Sequence, residues 1–188
     1  IAAAAGQAKR MTVIMPFLYE GRVHNRKNRE SLDCAQMLKE LVSMGVDNVI
    51  TFDANDPRVV NAIPLSSFDT ISPSYQYIKA LCNKYDDIII DSDHLMTISP
   101  DESGMSRAIY LANVLGVDMG MFYERRDYTK VVDGVNPVVA HEYLGASVEG
   151  KDVIIVDDMI SSGDSILDVA RQLKLRKAKR VFCCVSYG

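Results

Sequence analysis

The sequence predicts an α/β protein in three α/β/α layers, with parallel strands covered by helices on both faces. Three observations predict it. Short apolar runs at residues 11–15, 46–52, 95–98, 119–123, 153–156 and 181–185 have the length and bulk of buried strands. Stretches with helical apolar spacing alternate with these runs, which is βαβ order and calls for parallel pairing. Polar, small-residue loops follow several of the strands, at the position where open α/β sheets bind ligands.

Bulk properties exclude several classes. At 188 residues the chain is long enough for one large domain or two small ones. With 48% apolar and 24% charged residues it has the balance of an ordered globular protein. A net charge of −4 leaves no electrostatic footprint for nucleic acid. No run approaches the length of a membrane span. Cys34, Cys82, Cys183 and Cys184 have no metal-ligand spacing and read as buried, reduced thiols of a cytoplasmic protein. Residues 1–5 lack the basic start and long apolar core of a signal peptide. Residues 1–9 read as the last turns of a helix, and the final strand has nothing after it to cover it. The chain is therefore expected to be a piece of a longer protein.

In chain order, residues 11–15 form a strand ended by Pro16. Residues 17–30 crowd Arg22, Arg26, Lys27 and Arg29 together, which by themselves read as a solvated basic loop. Ser31 is placed to cap a helix with Leu32, Ala35, Leu38 and Leu41 on one face, ended by Gly45. The strand at residues 46–52 leads to Asp53-Ala54-Asn55-Asp56-Pro57 at its ligand-binding end. Residues 63–70 are expected to be irregular and to mark the domain crossover. Ser72-Pro73 then starts a helix by the cap-then-proline rule, with Tyr77, Ile78 and Leu81 on its apolar face. The acidic run at residues 86–93 reads as a solvated connection. Beyond the strand at 95–98, Ser99-Pro100-Asp101-Glu102-Ser103-Gly104 leads into a helix with Ala108, Leu111, Ala112 and Leu115 inward. These loop residues suit a helix cap, or close approach to a ligand with a cation near Asp101. Glu124-Arg125-Arg126 opens a hairpin or flap running to about residue 134. Lys174, Arg176, Lys177, Lys179 and Arg180 read as a solvated basic tail at a helix C-terminus.

The chain is organised around residues 151–166. Four apolar residues, 153–156, form a strand that ends at Asp157-Asp158. A small-residue loop, Ser161-Ser162-Gly163-Asp164-Ser165, then opens a helix with Ile166, Leu167, Val169, Ala170 and Leu173 on one face. Such a loop turns backbone N–H groups and hydroxyls toward one point at the positive end of a helix, which makes a phosphate cradle. The paired carboxylates suit vicinal sugar hydroxyls or a cation such as Mg2+ that offsets phosphate charge. Phosphate at one end and a diol in the middle describe a pentose phosphate.

This segment resembles the ribose-5-phosphate loop of type I phosphoribosyltransferases and of ribose-phosphate pyrophosphokinases (PRPP synthetases). The wider resemblance is to the pyrophosphokinases and covers nearly the whole chain. It rests also on Ser99, Pro100, Asp101, Gly104, Arg107 and Ala108, which match a Ser-Pro-Asp-x-Gly-Gly-x-x-Arg-Ala pattern, with Ser103 replacing the first Gly. Arg125 and Arg126 match the end of Lys-Arg-Arg, and Arg22 and Asp53 match single positions. The resemblance implies two phosphoribosyltransferase-like domains, each incomplete here. Residues 1–68 would be the C-terminal part of an ATP-side domain, and residues 69–188 most of a ribose-5-phosphate domain. It implies attack of the ribose C1 hydroxyl on the β-phosphorus of Mg-ATP, giving PRPP and AMP, in a homo-oligomer (hexameric in the family).

The roles implied are specific. Arg125 and Arg126 would act on the moving phosphates, and Asp157 and Asp158 on the ribose hydroxyls. Ser161, Ser162, Gly163, Asp164 and Ser165 would hold the 5-phosphate. Arg22 and His24 would lie on ATP, and Ser99, Asp101, Gly104 and Arg107 along the diphosphate. Mg2+ would lie near Asp101, Asp53 and Asn55. Three departures stand against this pattern: Asn55 where the family has His, Glu124 where it has Lys, and Ser161 where it has an acid. They leave a second reading open, a weakened homologue that binds nucleotide or sugar phosphate or regulates a partner. A phosphoribosyltransferase acting on a base is the third.

Overall fold

A computed structural model describes residues 1–26, 29–126, 129 and 138–188. The chain divides into two compact units, Ile1–Tyr75 and Gln76–Gly188.

The first unit opens with a short exposed helix, α1 (Ala2–Ala5), and then builds a parallel three-stranded sheet in the order β1 (Thr12–Met15), β2 (Asn48–Phe52), β3 (Ser67–Ile71). Helix α2 (Asp33–Ser43) buries Cys34 and Leu38, one turn apart, against Val49, Val59, Ile63 and Leu18. Two expectations are corrected here. Ser31 does not cap α2: its hydroxyl donates to Asp33 at 3.1 Å, Leu32 takes the cap position, and the Leu32 side chain is exposed. Residues 67–70, part of the stretch expected to be irregular, belong to β3 (Ser67–Ile71). This strand carries Ser67, Asp69 and Thr70 and is mostly exposed, so it has no apolar run to announce it. A 3₁₀ helix (Pro57–Ala62) precedes it, capped by the Asp56 carboxylate accepting from the Arg58 N–H at 2.9 Å.

The second unit holds α3 (Ser74–Lys84, from Gln76 onward), β4 (Leu95–Ser99), α4 (Met105–Leu115), β5 (Asp118–Arg126), β6 (Val138–Leu144), β7 (Asp152–Met159), α5 (Asp164–Leu175) and β8 (Arg180–Tyr187). The sheet order is β6-β5-β4-β7-β8. All pairs are parallel except β5–β6, which is antiparallel, as a hairpin leaving β5 requires. The expected flap itself, residues 127–128 and 130–134, lies outside the described residues.

The two central strands are apolar on both faces, so each face needs a cover. Val169 and Leu173 of α5 close over Val153, Ile155, Met96 and Ile98. Leu111 of α4, with Tyr77, Ile78 and Leu81 of α3, closes over Ile154, Val156 and Leu95. Leu167, expected inward, is exposed, because the buried stripe of α5 is the narrower one of Val169 and Leu173 flanked by Ile166 and Ala170. Cys34 and Cys184 are buried, and burial pushes their thiols up to about 11 and about 12. Cys82 and Cys183 are exposed, contrary to expectation. Among the described residues no helix is long and apolar enough to cross a membrane.

The expected solvated basic tail is also corrected. Arg180 donates to both oxygens of buried Asp152 at 2.8 and 2.6 Å, and to Asp87 at 2.8 and 3.1 Å. Its guanidinium also lies over the rings of Tyr85 and Phe182. Lys174 donates to the carbonyls of Ala178 and Lys179. These cations close the sheet end opposite the ligand-binding loops.

The packing predicts a sharp contrast along α5. Leu173→Ala should cost about 2–5 kcal/mol in urea unfolding, because it empties a fully buried position. Leu175→Ala, at a position 76% exposed, should stay within about 0.5 kcal/mol of the parent.

Candidate functional site

Topology decides where the second unit can bind a ligand. From β4 the chain passes through α4 to β5 on one side, and from β7 it passes through α5 to β8 on the other. Neighbouring parallel strands whose connections diverge leave a crevice at their C-terminal ends, the usual ligand position in open α/β sheets. The two loops that flank this crevice are residues 99–104 and 160–163. Both were singled out in the sequence.

The first loop is pinned by its own polar groups. Asp101 Oδ1 accepts from the Ser103 N–H at 2.8 Å, the Ser103 hydroxyl at 2.6 Å and the Gly104 N–H at 3.0 Å. The Ser99 hydroxyl donates to the Asp101 carbonyl at 2.6 Å. Gly104 is needed for close approach: a Cβ there would lie 2.9 Å from Ser99 Oγ and 3.4 Å from the carbonyl oxygen of Val156. The loop after β4 thus rests on the backbone of β7. Arg107 stands in the first turn of α4.

The second loop begins later than expected, because β7 continues through Asp157 and Asp158 to Met159. Successive strand residues face opposite sides of the sheet. Asp157 therefore follows Val153 and Ile155 on the α5 side, while Asp158, only 6% exposed, follows Ile154 and Val156 on the α4 side. The Asp158 N–H donates to Asp157 Oδ1 at 2.8 Å. Burial pushes the Asp157 carboxyl up to about 7. The Asp158 N–H opposes that rise, and the carboxylates of Asp158 and Asp101 add to it. Asp101 and the Asp157–Asp158 pair are therefore close enough to share one electrostatic environment. Gly163 then turns the chain at φ +83°, a left-handed conformation that a side chain would strain, into the N-terminus of α5. Ser161, Ser162, Asp164 and Ser165 are exposed around that turn. A 12-residue helix whose first N–H groups open onto a small-residue loop attracts an anion.

The first unit assembles a separate loop cluster at the C-terminal ends of β1 and β2. His24 Nδ1 lies 3.2 Å from the Gly21 carbonyl, and its Nε2 lies 3.7 Å from Asp56. Asp56 is held below the usual carboxylate range by its hydrogen bonds from Arg58. Asp53 takes φ +42° at the end of β2, a backbone conformation that Asp tolerates better than most residues. Asn55 is half-buried beside it and Arg22 is exposed. Of the expected metal residues, Asp53 and Asn55 belong to this unit and Asp101 to the other. The Asp56–Arg58 pair was not singled out in the sequence; an Asp before Pro, two residues ahead of an Arg, was the available signal. The side chains of Arg125 and Arg126 lie outside the described ones, as does Lys27.

Mg2+ fits this chemistry. Among the described residues no three His, Cys, Asp or Glu side chains group to hold a metal by themselves. Mg2+ needs no such cage, since it keeps its waters and takes one or two carboxylates beside substrate phosphates. A desolvated carboxyl next to two others is a place where a cation relieves repulsion.

Residues 66–188 match the model of the phosphoribosyl transferase domain. The chain belongs to this family. Among curated relatives, the chain is 27% identical over 183 residues to the ribose-phosphate pyrophosphokinase of Aquifex aeolicus (strain VF5), covering 96% of this chain and 54% of that protein. It is 30% identical over 177 residues to that of Ralstonia nicotianae (strain ATCC BAA-1114 / GMI1000), covering 93% and 52%. The resemblance to ribose-phosphate pyrophosphokinases read from the motifs is borne out. The crystal structure of phosphoribosylpyrophosphate synthetase from Mycobacterium smegmatis matches with a TM-score of 0.82 at 23% identity, covering 100% of this chain and 57% of that one. That likeness shows the fold. The chain spans about half the length of the curated relatives it matches.

The raised Asp157 carboxyl predicts a pH signature. Folded, it keeps its proton up to about 7; unfolded, it loses it near 3.8. Between those values the folded state binds more protons, so this group's contribution to stability falls as pH rises, and the penalty is complete above about 7. Asp157→Asn should therefore raise the thermal midpoint by a few degrees at pH 8 and leave it unchanged at pH 4, as followed by scanning calorimetry.

Proposed function

We propose that the protein to which this chain belongs transfers diphosphate from Mg-ATP to the C1 hydroxyl of ribose 5-phosphate. The observation that carries this reading is the crevice between β4 and β7, where the Asp157–Asp158 pair precedes the Gly163 turn at the start of α5. A carboxylate pair for a diol, followed by a helix N-terminus for a phosphate, suits a pentose 5-phosphate better than a nucleotide base. Matches to ribose-phosphate pyrophosphokinases along nearly the whole chain support the same reading.

In this mechanism Asp157 and Asp158 accept hydrogen bonds from the ribose hydroxyls. Ser161, Ser162, Ser165 and the N–H groups of residues 163–165 hold the 5-phosphate. The C1 oxygen bonds to the β-phosphorus, the bond from that phosphorus to the oxygen bridging the α-phosphorus breaks, and AMP leaves with that oxygen; the hydroxyl proton is released. Ser99, Gly104 and Arg107 line the diphosphate, and Arg125 and Arg126 offset the charge of the moving group. In the first unit Arg22 and His24 contact ATP. In the second unit Asp101 would hold Mg2+, and in the first unit Asp53 and Asn55 are candidate cation ligands of their own; the cation would supply charge neutralisation at the phosphates. The working form is a cytoplasmic homo-oligomer.

Glu124 and Asn55 favour a second reading, a weakened homologue that still binds sugar phosphate or nucleotide. A carboxylate in place of a cation beside a polyphosphate removes transition-state stabilisation, worth on the order of 10³-fold in rate.

The test is AMP and PRPP formation by the full-length protein with Mg2+, ATP and ribose 5-phosphate, with Glu124→Lys assayed alongside. Robust turnover by the parent, changed less than about tenfold by Glu124→Lys, is the expected result. Activity only in the Lys variant would establish the weakened homologue. Diphosphate release that depends on an added base would replace both readings with a base phosphoribosyltransferase.

A further inference from the structure

The β5–β6 pair carries a side-chain lock on each face of its base. On the core face Phe122 and Tyr143 are directly opposed, with ring centroids 5.2 Å apart and Phe122 fully buried. Gly120 makes room for this: a Cβ there would come within 2.5 Å of the Tyr143 hydroxyl. That hydroxyl donates to the Ala146 carbonyl at 2.7 Å. Arg176, just beyond the end of α5, lies over both rings at 5.7 and 5.5 Å. On the opposite face the next pair up the ladder is Tyr123 and Glu142, where the Tyr123 hydroxyl donates to the Glu142 carboxylate. Beyond it Glu124 pairs with His141 and Arg125 with Ala140, and the register then shifts so that Arg126 pairs with Val138 and Val139 is the extra residue.

A β-bulge re-aims the residues near it, but only if the ladder leading into it holds its register. Tyr123–Glu142 is the last described side-chain bond before that bulge, and a hydroxyl bonded to a carboxylate is stronger than a neutral pair. We infer that Tyr123 and Glu142 are positioning residues. They clamp β5 to β6 immediately before residues 124–126, and so set the backbone from which Arg125 and Arg126 serve the transferred diphosphoryl group. This rests on the proposed reaction for its catalytic consequence, and on the ladder alone for the clamp.

Amide hydrogen exchange and kinetics on the full-length protein separate the two. In Tyr123→Phe, exchange at residues 124–126 and 138–142 should rise about tenfold, the equivalent of one net hydrogen bond, while β4 and β7 keep their protection. Glu142→Gln, which retains an acceptor, should stay near the parent. The kcat of Tyr123→Phe should fall about tenfold with the KM for ribose 5-phosphate unchanged. Unchanged exchange in Tyr123→Phe would overturn the clamp, whatever the activity. Faster exchange with an unchanged kcat would overturn the positioning role. Faster exchange in a protein whose parent form makes no PRPP would uphold the clamp and overturn the proposed reaction.

Discussion

Strands β4 and β7 lie side by side and run in the same direction, and each must leave the sheet into a helix that covers a different face. Helix α4 goes to the Leu95–Ile154–Val156 face and α5 to the Ile98–Val153–Ile155 face. Both faces are apolar, so neither helix can be dispensed with, and their divergence opens the crevice above the two strands. The polar features of the second unit's candidate site follow from that geometry. Gly104 lets the β4 loop settle against the carbonyl of Val156, and Gly163 turns the β7 loop into α5. Asp157 and Asp158 are the first residues past the apolar part of β7, so they are desolvated by the same packing that holds the strand.

The cost of that placement shows in Asp157. Its carboxyl is destabilised as an anion by burial and by neighbouring acids, which is unfavourable for the fold near neutral pH and favourable for binding hydroxyls or a cation. At the other end of the same strand Asp152 is more deeply buried, but two hydrogen bonds from Arg180 satisfy it. Two acids on one strand thus have opposite characters. The paired one anchors structure, and the crowded one is poised for a ligand.

Much of this was legible in the sequence because it depends on chemistry that leaves a pattern. The runs at 95–98 and 153–156, the Asp101 loop and residues 161–165 were all read from apolar bulk followed by small polar residues. What was missed left a weak pattern or none. Strand β3 sits at a sheet edge with Ser67, Asp69 and Thr70 exposed, so nothing apolar marked it. Ser31 looked like a cap, but its hydroxyl was taken by Asp33. Arg180 and Arg176 looked like solvated charge because sequence does not reveal a carboxylate 28 residues away or two rings on another hairpin. Tyr123 and Glu142 are joined only by register, which a chain read residue by residue does not display.

In the proposed function the β4–β7 crevice recognises a pentose phosphate through both its ends, the diol at Asp157–Asp158 and the phosphate at the start of α5. Titration calorimetry of ribose 5-phosphate against 2-deoxyribose 5-phosphate tests it most directly, since the two differ by one hydroxyl and keep the phosphate. Loss of the 2-hydroxyl should weaken binding about tenfold, the value of one hydrogen bond to a charged group. Equal affinity for the two sugars, or no affinity for either, would contradict it.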